Sequence, residues 1–177
     1  IHGNILCVAL RLFDGRQIRK GRPPLPKIGE MKAKRLLDII ISAIALVAAM
    51  PLFVVALVGI RLSSRGPILY RALRVGLDGE VFVMHKFRTM EMPSDQNASV
   101  ITGASDPRVF PFGAWLRRLK IDELPQFYDV LRGKMSLVGP RPEDPRIVHD
   151  HYSVEGMKTL SVLPGLTSTG SLYYYTN

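Results

Sequence analysis

Two carboxylates stand side by side in the stretch KIDELPQF, at Asp122 and Glu123, in a chain that is otherwise strongly basic. Successive residues in the middle of a helix point about 100° apart, so the two acids could hardly serve one site from there. Proline is tolerated in a first helical turn, and Pro125 therefore predicts a new helix with Asp122 at or near its N-cap and Gly133 just beyond its end. Taken alone, this pattern is more typical of a helix cap than of a catalytic site.

Arginine side chains flank the acidic pair along the chain. Arg117 precedes it, and the turn-rich segment VGPRPEDPR that follows carries Arg141 and Arg146. Arginine is the preferred side chain for forked recognition of phosphate oxygens. Mg²⁺ binds through one or two carboxylates together with substrate phosphates. Acids beside clustered arginines therefore suggest a site that holds a divalent metal and a diphosphate together.

The longest apolar run covers residues 36–60, and its only charge is Asp38. The run exceeds the about 20 apolar residues that cross a bilayer, so we predict a membrane segment rather than a buried core helix. Pro51 removes a helix hydrogen bond past the middle of the run, which predicts a kink or break. Basic residues flank both ends and favour neither orientation of a span, so a kinked span and a re-entrant helix both stay open. These flanking residues are Lys32, Lys34, Arg35, Arg61 and Arg65.

Residues beyond 65 have the composition of a folded domain outside the bilayer. Apolar and β-branched stretches lie on both sides of Asp78-Gly79, a dipeptide that favours a hairpin turn, and Lys86 and Arg88 follow near the hairpin's exit. The Ser-, Asn-, Asp- and Pro-rich stretch over 92–107 predicts a loop.

A helix is predicted from Phe112 to Ile121. Its apolar residues Trp115, Leu116 and Leu119 are expected on one side, with Arg117, Arg118 and Lys120 spread around the rest. Such a pattern suits a membrane interface, where aromatic and basic side chains both find a place, and it equally suits a surface helix on the domain's own core.

The net charge is +9, from 24 Lys and Arg against 15 Asp and Glu. This charge favours an anionic partner: nucleic acid, an acidic membrane surface or a phosphorylated substrate. Cys7 is the single cysteine, which excludes an intrachain disulfide and a cysteine-based zinc site. Residues 1–30 end in the basic, proline-rich stretch GRPPLPKIGE and predict an extended linker. Because the sequence opens on Ile1, we expect it to belong to a longer polypeptide.

Three motifs follow the proline-containing apolar segment: KFRTM at 86–90, LRRLKIDELPQFYDVLRGKMSLVGPRPE at 116–143 and LPGLTS at 163–168. From about Met31 to its end, the chain resembles the bacterial sugar transferases of the monotopic phosphoglycosyl transferase superfamily. The resemblance implies transfer of a phospho-sugar from a nucleotide diphosphate sugar, usually a UDP-sugar, to polyprenol phosphate, with release of a nucleoside monophosphate. Such a reaction initiates the assembly of capsule, exopolysaccharide or O-antigen.

The resemblance also implies Mg²⁺ dependence, contact with membrane lipid and a location on the cytoplasmic face of the bacterial inner membrane. Carried over residue by residue, it makes Asp122 the nucleophile that forms a covalent phospho-sugar intermediate. Glu123 becomes its partner in an Asp-Glu dyad, and both are expected to ligate the metal. The basic residues expected to bind substrate phosphate are Lys86, Arg88, Arg117 and Arg141.

We therefore predict an α/β, membrane-associated (monotopic) fold, mostly helical, with a small β-hairpin and a re-entrant membrane helix broken at Pro51. The expected parts are an N-terminal extension or linker over 1–30, the membrane helix with basic flanks over 31–65, and a cytoplasmic catalytic domain over 66–177. Family members continue past the PGLT region, so the C-terminal end is expected to be incomplete. Met50 stands where members commonly have serine, and Ser42 would be only a remote substitute. The sequence leaves the oligomeric state open.

Two other interpretations remain. A non-enzymatic, membrane-anchored module could use its charge to hold anionic lipid or nucleic acid. The sequence has no zinc-finger spacing, RNA-binding signature or arginine-rich tail, so we expect no nucleic-acid partner. A metal site at His149–His151 would require an extended segment that places alternate side chains on one face, whereas solvated histidines are the commoner outcome.

Overall fold

The computed structural model describes residues 28–91 and 106–168. The predicted linker up to residue 27, with Cys7, lies outside the described residues, as do most of the loop predicted over 92–107 and the chain from residue 169 onward. The described part is mostly helical and contains two small two-stranded sheets. The prediction of a mostly helical fold with little β-structure is therefore confirmed.

Two helices form the apolar segment. Helix α1 spans Ile28–Ala48, helix α2 spans Met50–Ser63, and the pair is bent by 57°. Pro51 occupies the first turn of α2, where its missing N–H breaks no helix hydrogen bond, so the predicted break is confirmed. No helix in the described ranges is by itself long and apolar enough to cross a membrane, although α1 from Lys32 onward and α2 together meet that criterion as a bent pair.

The apolar side chains of α1 and α2 lie mostly on the outside. The exposed ones include Leu36, Ile40, Ile44, Val47, Val54, Leu57 and Leu62. The buried positions are smaller or polar, among them Asp38, Ser42 and Ala56. The Ser42 hydroxyl is buried and has no hydrogen-bond partner among the described residues, so it does not take the bridging role that a serine before the proline would have.

The predicted hairpin is confirmed. Strand β1 (Leu69–Val75) pairs antiparallel with strand β2 (Val81–Phe87), in a register that runs from Leu69 opposite Phe87 to Val75 opposite Val81. A short 3₁₀ turn, Leu77–Gly79, connects them. Asp78 and Gly79 both have positive φ, 55° and 80°, which is the backbone conformation that an Asp-Gly pair adopts most readily in a hairpin turn.

The helix predicted from Phe112 to Ile121 is shorter. Helix α3 spans Pro111–Arg118 and ends because Lys120 takes a left-handed conformation, with φ of 58°. The three apolar residues do not share one side: Leu116 is fully buried, whereas Trp115 and Leu119 are exposed.

The junction after α3 also differs from the prediction. Ile121–Glu123 form a single 3₁₀ turn, and helix α4 begins later, spanning Gln126–Leu131 with Pro125 at its N-cap. Asp122, predicted at or near the N-cap, lies in this separate turn and does not cap the helix, because the left-handed Lys120 starts the turn before the helix. Gly133 lies just past the helix with φ of 78°, as predicted.

The C-terminal half adds a second sheet that the sequence did not predict. Strand β3 (Ser136–Val138) runs parallel to strand β4 (Gly165–Thr167). Between them lie helices α5 (Pro145–His151) and α6 (Val154–Lys158) and a 3₁₀ turn at Thr159–Ser161. His149 and His151 are exposed on helical backbone, so the extended metal site is wrong, and no cluster of three or more His, Cys, Asp or Glu suited to a metal occurs among the residues described.

Helix α2 covers the junction that carries the acids. Its buried side chains Ala56 and Ile60 belong to one core with residues of the hairpin, α3 and the 3₁₀ turn; these are Phe87, Phe110, Leu116 and Ile121. A second core lies between the hairpin and α4 and contains Ala72, Phe82, Met84, Val130 and Met135. The acidic pair therefore lies where the apolar segment and the hairpin meet.

Helix α1 is tied to the same domain by polar contacts from its N-terminal half. The Arg35 guanidinium donates to the carbonyls of Val130 (2.7 Å) and Leu131 (3.0 Å), at the C-terminal end of α4. Asp38 is buried, and its carboxylate accepts from the Ser136 hydroxyl at 2.8 Å and from the Leu137 N–H at 3.3 Å. These contacts fix α1 against α4 and β3.

Candidate active site

Lys86 and Glu123 form the closest charged contact of the site. Lys86 projects from β2, Glu123 from the 3₁₀ turn, and Lys86 Nζ lies 2.9 Å from Glu123 Oε1. Asp129 holds α4 beside β2, since its carboxylate accepts from the His85 N–H at 2.8 Å and contacts His85 Nδ1 at 2.7 Å. Burial alone would raise the pKa of Glu123, but the Lys86 charge and hydrogen bond outweigh it and lower that pKa below its ordinary value.

Asp122 has a different environment from its neighbour. It is 7% exposed, and its Oδ1 has no hydrogen-bond partner among the described residues. Burial raises the pKa of Asp122, and the charge on Glu123 acts in the same direction, while the positive charges of Lys86 and Arg117 oppose the rise. The pKa values of the two adjacent acids are therefore shifted in opposite directions: that of Glu123 is lowered and that of Asp122 is raised.

A cleft open to solvent lies beside this pair, and Glu123 is part of its lining. Its basic side chains come from three separate parts of the chain, β1, β2 and the turn after β3. The backbone of Gly165 donates to the Pro140 carbonyl at 2.8 Å, which anchors that turn to β4. Asp122 lies beside the cleft but is not one of its lining residues, which are Arg74, Met84, Lys86, Glu123, Gln126, Arg141, Pro142, Gly165, Leu166 and Ser168.

Arg117 acts on Asp122 without lining the cleft. Its Nε donates to Thr89 Oγ1 at 2.8 Å. This contact depends on Gly113, because a Cβ at that position would lie only 2.2 Å from the Thr89 carbonyl oxygen. Glycine lets α3 approach the end of the hairpin closely enough for Arg117 to reach it.

Arg88 is the predicted site residue that the structure places elsewhere. Its guanidinium is fully buried and donates to the Pro67 carbonyl (2.5 Å) and to the hydroxyl (2.7 Å) and carbonyl (2.9 Å) of Ser64. These contacts hold the end of α2 against the hairpin. The phosphate-binding role predicted for Arg88 therefore finds no support in its contacts, because its donors point into the protein interior.

Among the lining residues that the sequence analysis did not predict, Arg74 and Gln126 carry long polar side chains. Arg74 lies on β1 and contacts Asp144 at 3.3 Å, and Gln126 is buried at the start of α4. Arg74 could have been suspected from strand alternation, because it lies opposite Phe82, which is on the same face of the hairpin as Lys86. Gln126 carried no signal, because a glutamine in a first helical turn is usually solvated.

The donor set suits a hard cation that is shared with a phosphate. Two adjacent carboxylates are available, and the unpaired Asp122 Oδ1 is an oxygen without another partner in the described structure. Mg²⁺ takes one or two carboxylates and completes its shell with water and substrate phosphates, so Asp122 and Glu123 fit that pattern.

Comparisons with known proteins show which family the chain resembles. The family model described as bacterial sugar transferase matches residues 29–177. An undecaprenyl-phosphate glucose phosphotransferase of Komagataeibacter xylinus is 47% identical over 145 residues, which are 78% of this chain and 27% of the relative. A UDP-glucose:undecaprenyl-phosphate glucose-1-phosphate transferase of Xanthomonas campestris pv. campestris is 41% identical, covering 76% of this chain and 28% of the relative. The exopolysaccharide production protein ExoY of Rhizobium meliloti is 35% identical, covering 78% of this chain and 69% of the relative.

Proposed function

The chain belongs to the bacterial sugar transferase family, and on that basis we propose that it transfers a sugar phosphate from a nucleotide diphosphate sugar to polyprenol phosphate. The products are a polyprenyl-diphosphate-sugar and a nucleoside monophosphate. The names of similar proteins, which specify UDP-glucose and undecaprenyl phosphate, support this substrate pair. The structural observation that carries the proposal is the buried, unpaired Asp122 Oδ1 beside a basic cleft.

Asp122 is the proposed nucleophile. Its carboxylate oxygen attacks the phosphorus that bears the sugar, a P–O bond to Asp122 forms, and the bond to the departing nucleoside monophosphate breaks. A phosphate oxygen of polyprenol phosphate then attacks the same phosphorus and releases the carboxylate. Two steps with one covalent intermediate replace a direct transfer between two anions.

The basic side chains supply the electrostatics. Lys86 lines the cleft together with Glu123, where it lowers the pKa of Glu123 and opposes the rise in the pKa of Asp122. Arg141 lines the cleft, where a forked guanidinium suits a phosphate group. The positive charge of Arg117, which does not line the cleft, stabilises the ionised form of Asp122. Positioning and charge of this kind provide most of the rate in phosphoryl transfer.

Mg²⁺ is the proposed cofactor. Asp122 and Glu123 would hold it at the edge of the cleft, and the ion would neutralise charge on the diphosphate. The Lys86 contact keeps Glu123 ionised and therefore able to act as a ligand.

The bent helix pair is the proposed membrane segment, re-entrant from the cytoplasmic face of the bacterial inner membrane. Its exposed apolar side chains support contact with lipid. Contacts at the two ends of the segment support re-entry. Arg35, near the start of α1, donates to a carbonyl of α4, and Ser64, just after α2, accepts from Arg88. A span would place those ends on opposite sides of the bilayer, although both contact one domain.

The topology can be tested with single cysteines at Lys32 and Ser63, in a Cys7→Ser background. A membrane-impermeant thiol reagent applied to intact cells should label neither position, and both should react after the cells are opened. Labelling of one position alone from outside would establish a span and contradict re-entry.

The activity can be tested by supplying membranes with a panel of nucleotide sugars and polyprenol phosphate. Sustained release of nucleoside monophosphate should require both polyprenol phosphate and Mg²⁺, whereas without the acceptor the release should stop once the covalent intermediate has formed. A brief reaction without the acceptor should leave a sugar phosphate on the wild-type protein, visible by intact mass, and none on Asp122→Asn. Wild-type protein that releases no monophosphate from any sugar would favour the non-enzymatic, lipid-binding alternative.

A further inference from the structure

A buried amide of the cleft has no role in the chemistry described so far. Gln126 is 3% exposed, lines the cleft and begins α4. Its Nε2 has no hydrogen-bond partner among the described residues. Burying an amide donor without a partner is costly, so an unpaired donor that lines a cleft indicates a position for an acceptor on a ligand.

The amide lies close along the backbone to the proposed nucleophile. The chain turns continuously from one to the other, since the Leu124 N–H donates to the Ile121 carbonyl and the Phe127 N–H to the Leu124 carbonyl, both at 3.2 Å. Gln126 therefore follows Asp122 by about one helical turn. Within residues 28–91 and 106–168, Asp122 Oδ1 is an acceptor without a partner and Gln126 Nε2 is a donor without one, so the two groups do not satisfy each other.

The neutrality of the amide matters at this position. Arg74, Lys86 and Arg141 already bring positive charge to the cleft. A further cationic side chain one turn from Asp122 would compete with the proposed Mg²⁺ for the carboxylate. An amide can donate to a phosphate oxygen without competing for the nucleophile in this way.

We propose that the Gln126 side-chain amide donates a hydrogen bond to a non-bridging oxygen of the phosphoryl group that is transferred. This inference rests on the proposed function and adds a substrate-binding residue to it. The contact exists only with a ligand that carries that group. Gln126 therefore distinguishes the nucleotide diphosphate sugar from the nucleoside monophosphate that leaves.

The test compares two ligands and two variants of the full chain in lipid nanodiscs. Gln126→Met removes the donor at nearly constant volume, and Ser42→Ala is the matched control, because Ser42 is also buried and unpaired but lies on α1 away from the cleft. Calorimetry, with Asp122→Asn as the common background so that no covalent intermediate forms, would measure the Kd of UDP-glucose, the nucleotide sugar named for similar proteins, and of UMP. Thermal unfolding would be recorded for each variant.

Gln126→Met should weaken UDP-glucose binding by about ten- to a hundredfold, the range for a hydrogen bond to a charged group, and leave UMP binding unchanged. Its Tm should not fall, since the substitution removes an unpaired buried group. Ser42→Ala should change neither affinity. Should the methionine variant unfold early, Gln126→Glu, which replaces the donor with an acceptor, should show the same selective loss.

Three results would overturn the proposal in different ways. Equal UDP-glucose affinity with and without Gln126→Met would exclude the contact. An equal loss of UMP affinity would show general damage to the cleft instead of loss of one phosphoryl contact. Wild-type protein that binds neither nucleotide would contradict the proposed function itself, which separates that failure from a failure of the Gln126 assignment.

Discussion

Replacing Lys86 with methionine should affect stability and acid–base behaviour together. The substitution keeps most of the side-chain volume but removes the charge that lies 2.9 Å from Glu123 and that also opposes the rise in the pKa of Asp122. Glu123 would be left partly buried without its cation. The pKa values of both carboxyls should therefore rise.

The expected loss of stability follows from burial. Two unit charges at 2.9 Å attract each other by about 6 kcal/mol at an effective dielectric constant near 20, before desolvation is subtracted. Breaking a fully buried pair costs about 3–5 kcal/mol, because one charge is left unpaired. The Lys86 and Glu123 side chains are 20% and 24% exposed, so we expect the free energy of unfolding to fall by about 2–3 kcal/mol.

The chain offers a matched control in Lys134→Met. Lys134 contacts Glu80 at the same 2.9 Å, but the two side chains are 40% and 67% exposed. Exposed pairs contribute about 0–1 kcal/mol, so urea unfolding of this variant should resemble wild type. In the same preparations, the pH dependence of kcat/KM reports the ionisation of Asp122 in the free enzyme. Its acidic limb should move to higher pH in Lys86→Met and stay in place in Lys134→Met.

The sign of the pH effect on stability is also fixed. The pKa of Glu123 is lowered in the folded protein, so its pairing stabilises fully above its ordinary value of 4.5 and this stabilisation is lost as pH falls through the lowered value. The stability difference between wild type and Lys86→Met should therefore shrink on acidification. Equal destabilisation by the two lysine variants, or an unmoved acidic limb in Lys86→Met, would refute this account of the pair.

Three other substitutions test separate parts of the structure. Asp122→Asn should abolish nucleoside monophosphate release while Tm stays constant or rises, because burial disfavours the ionised carboxylate in the folded state; turnover at the wild-type rate would exclude Asp122 as nucleophile. Arg88→Met should lower the free energy of unfolding by about 3 kcal/mol or more, since several buried hydrogen bonds are lost. A well-folded Arg88→Met variant with weakened UDP-glucose binding would instead support the predicted phosphate-binding role of Arg88. Pro51→Ala should straighten the bent helices and make part of the population span, and unchanged cysteine labelling would contradict that role for the proline.

Local signals in the sequence predicted the elements that depend on neighbouring residues. Asp78-Gly79 specified the hairpin, Gly133 the end of α4, and Pro51 the break between α1 and α2. The 3₁₀ turn at Asp122 was mistaken for a helix cap, because Lys120 is not a residue type that usually adopts positive φ.

The other misses concern contacts between distant parts of the chain. Strands β3 and β4 have three residues each, and Ser136 lies opposite Gly165, so neither strand carries a recognisable local pattern. The motif that contains Lys86 also contains Arg88, but the sequence could not show that Arg88 turns inward to Ser64. Burial of Gln126 likewise results from tertiary packing and not from its helical position.

The hydrogen bonds from Ser136 and Leu137 to Asp38 on α1 have a consequence for folding during synthesis. The Asp38 carboxylate and the Ser136 hydroxyl that donates to it are 98 positions apart, so α1 is synthesised long before its carboxylate gains that partner. Until then, Lys34, one helical turn away with Nζ at 3.8 Å from Asp38, is the local partner. If α1 enters the bilayer during translation, we expect this pair to accompany it, with Ser136 and Leu137 joining later as the domain closes. Nascent chains arrested before residue 136 would test this order, since Lys34→Met should impair their membrane insertion more than that of the released chain.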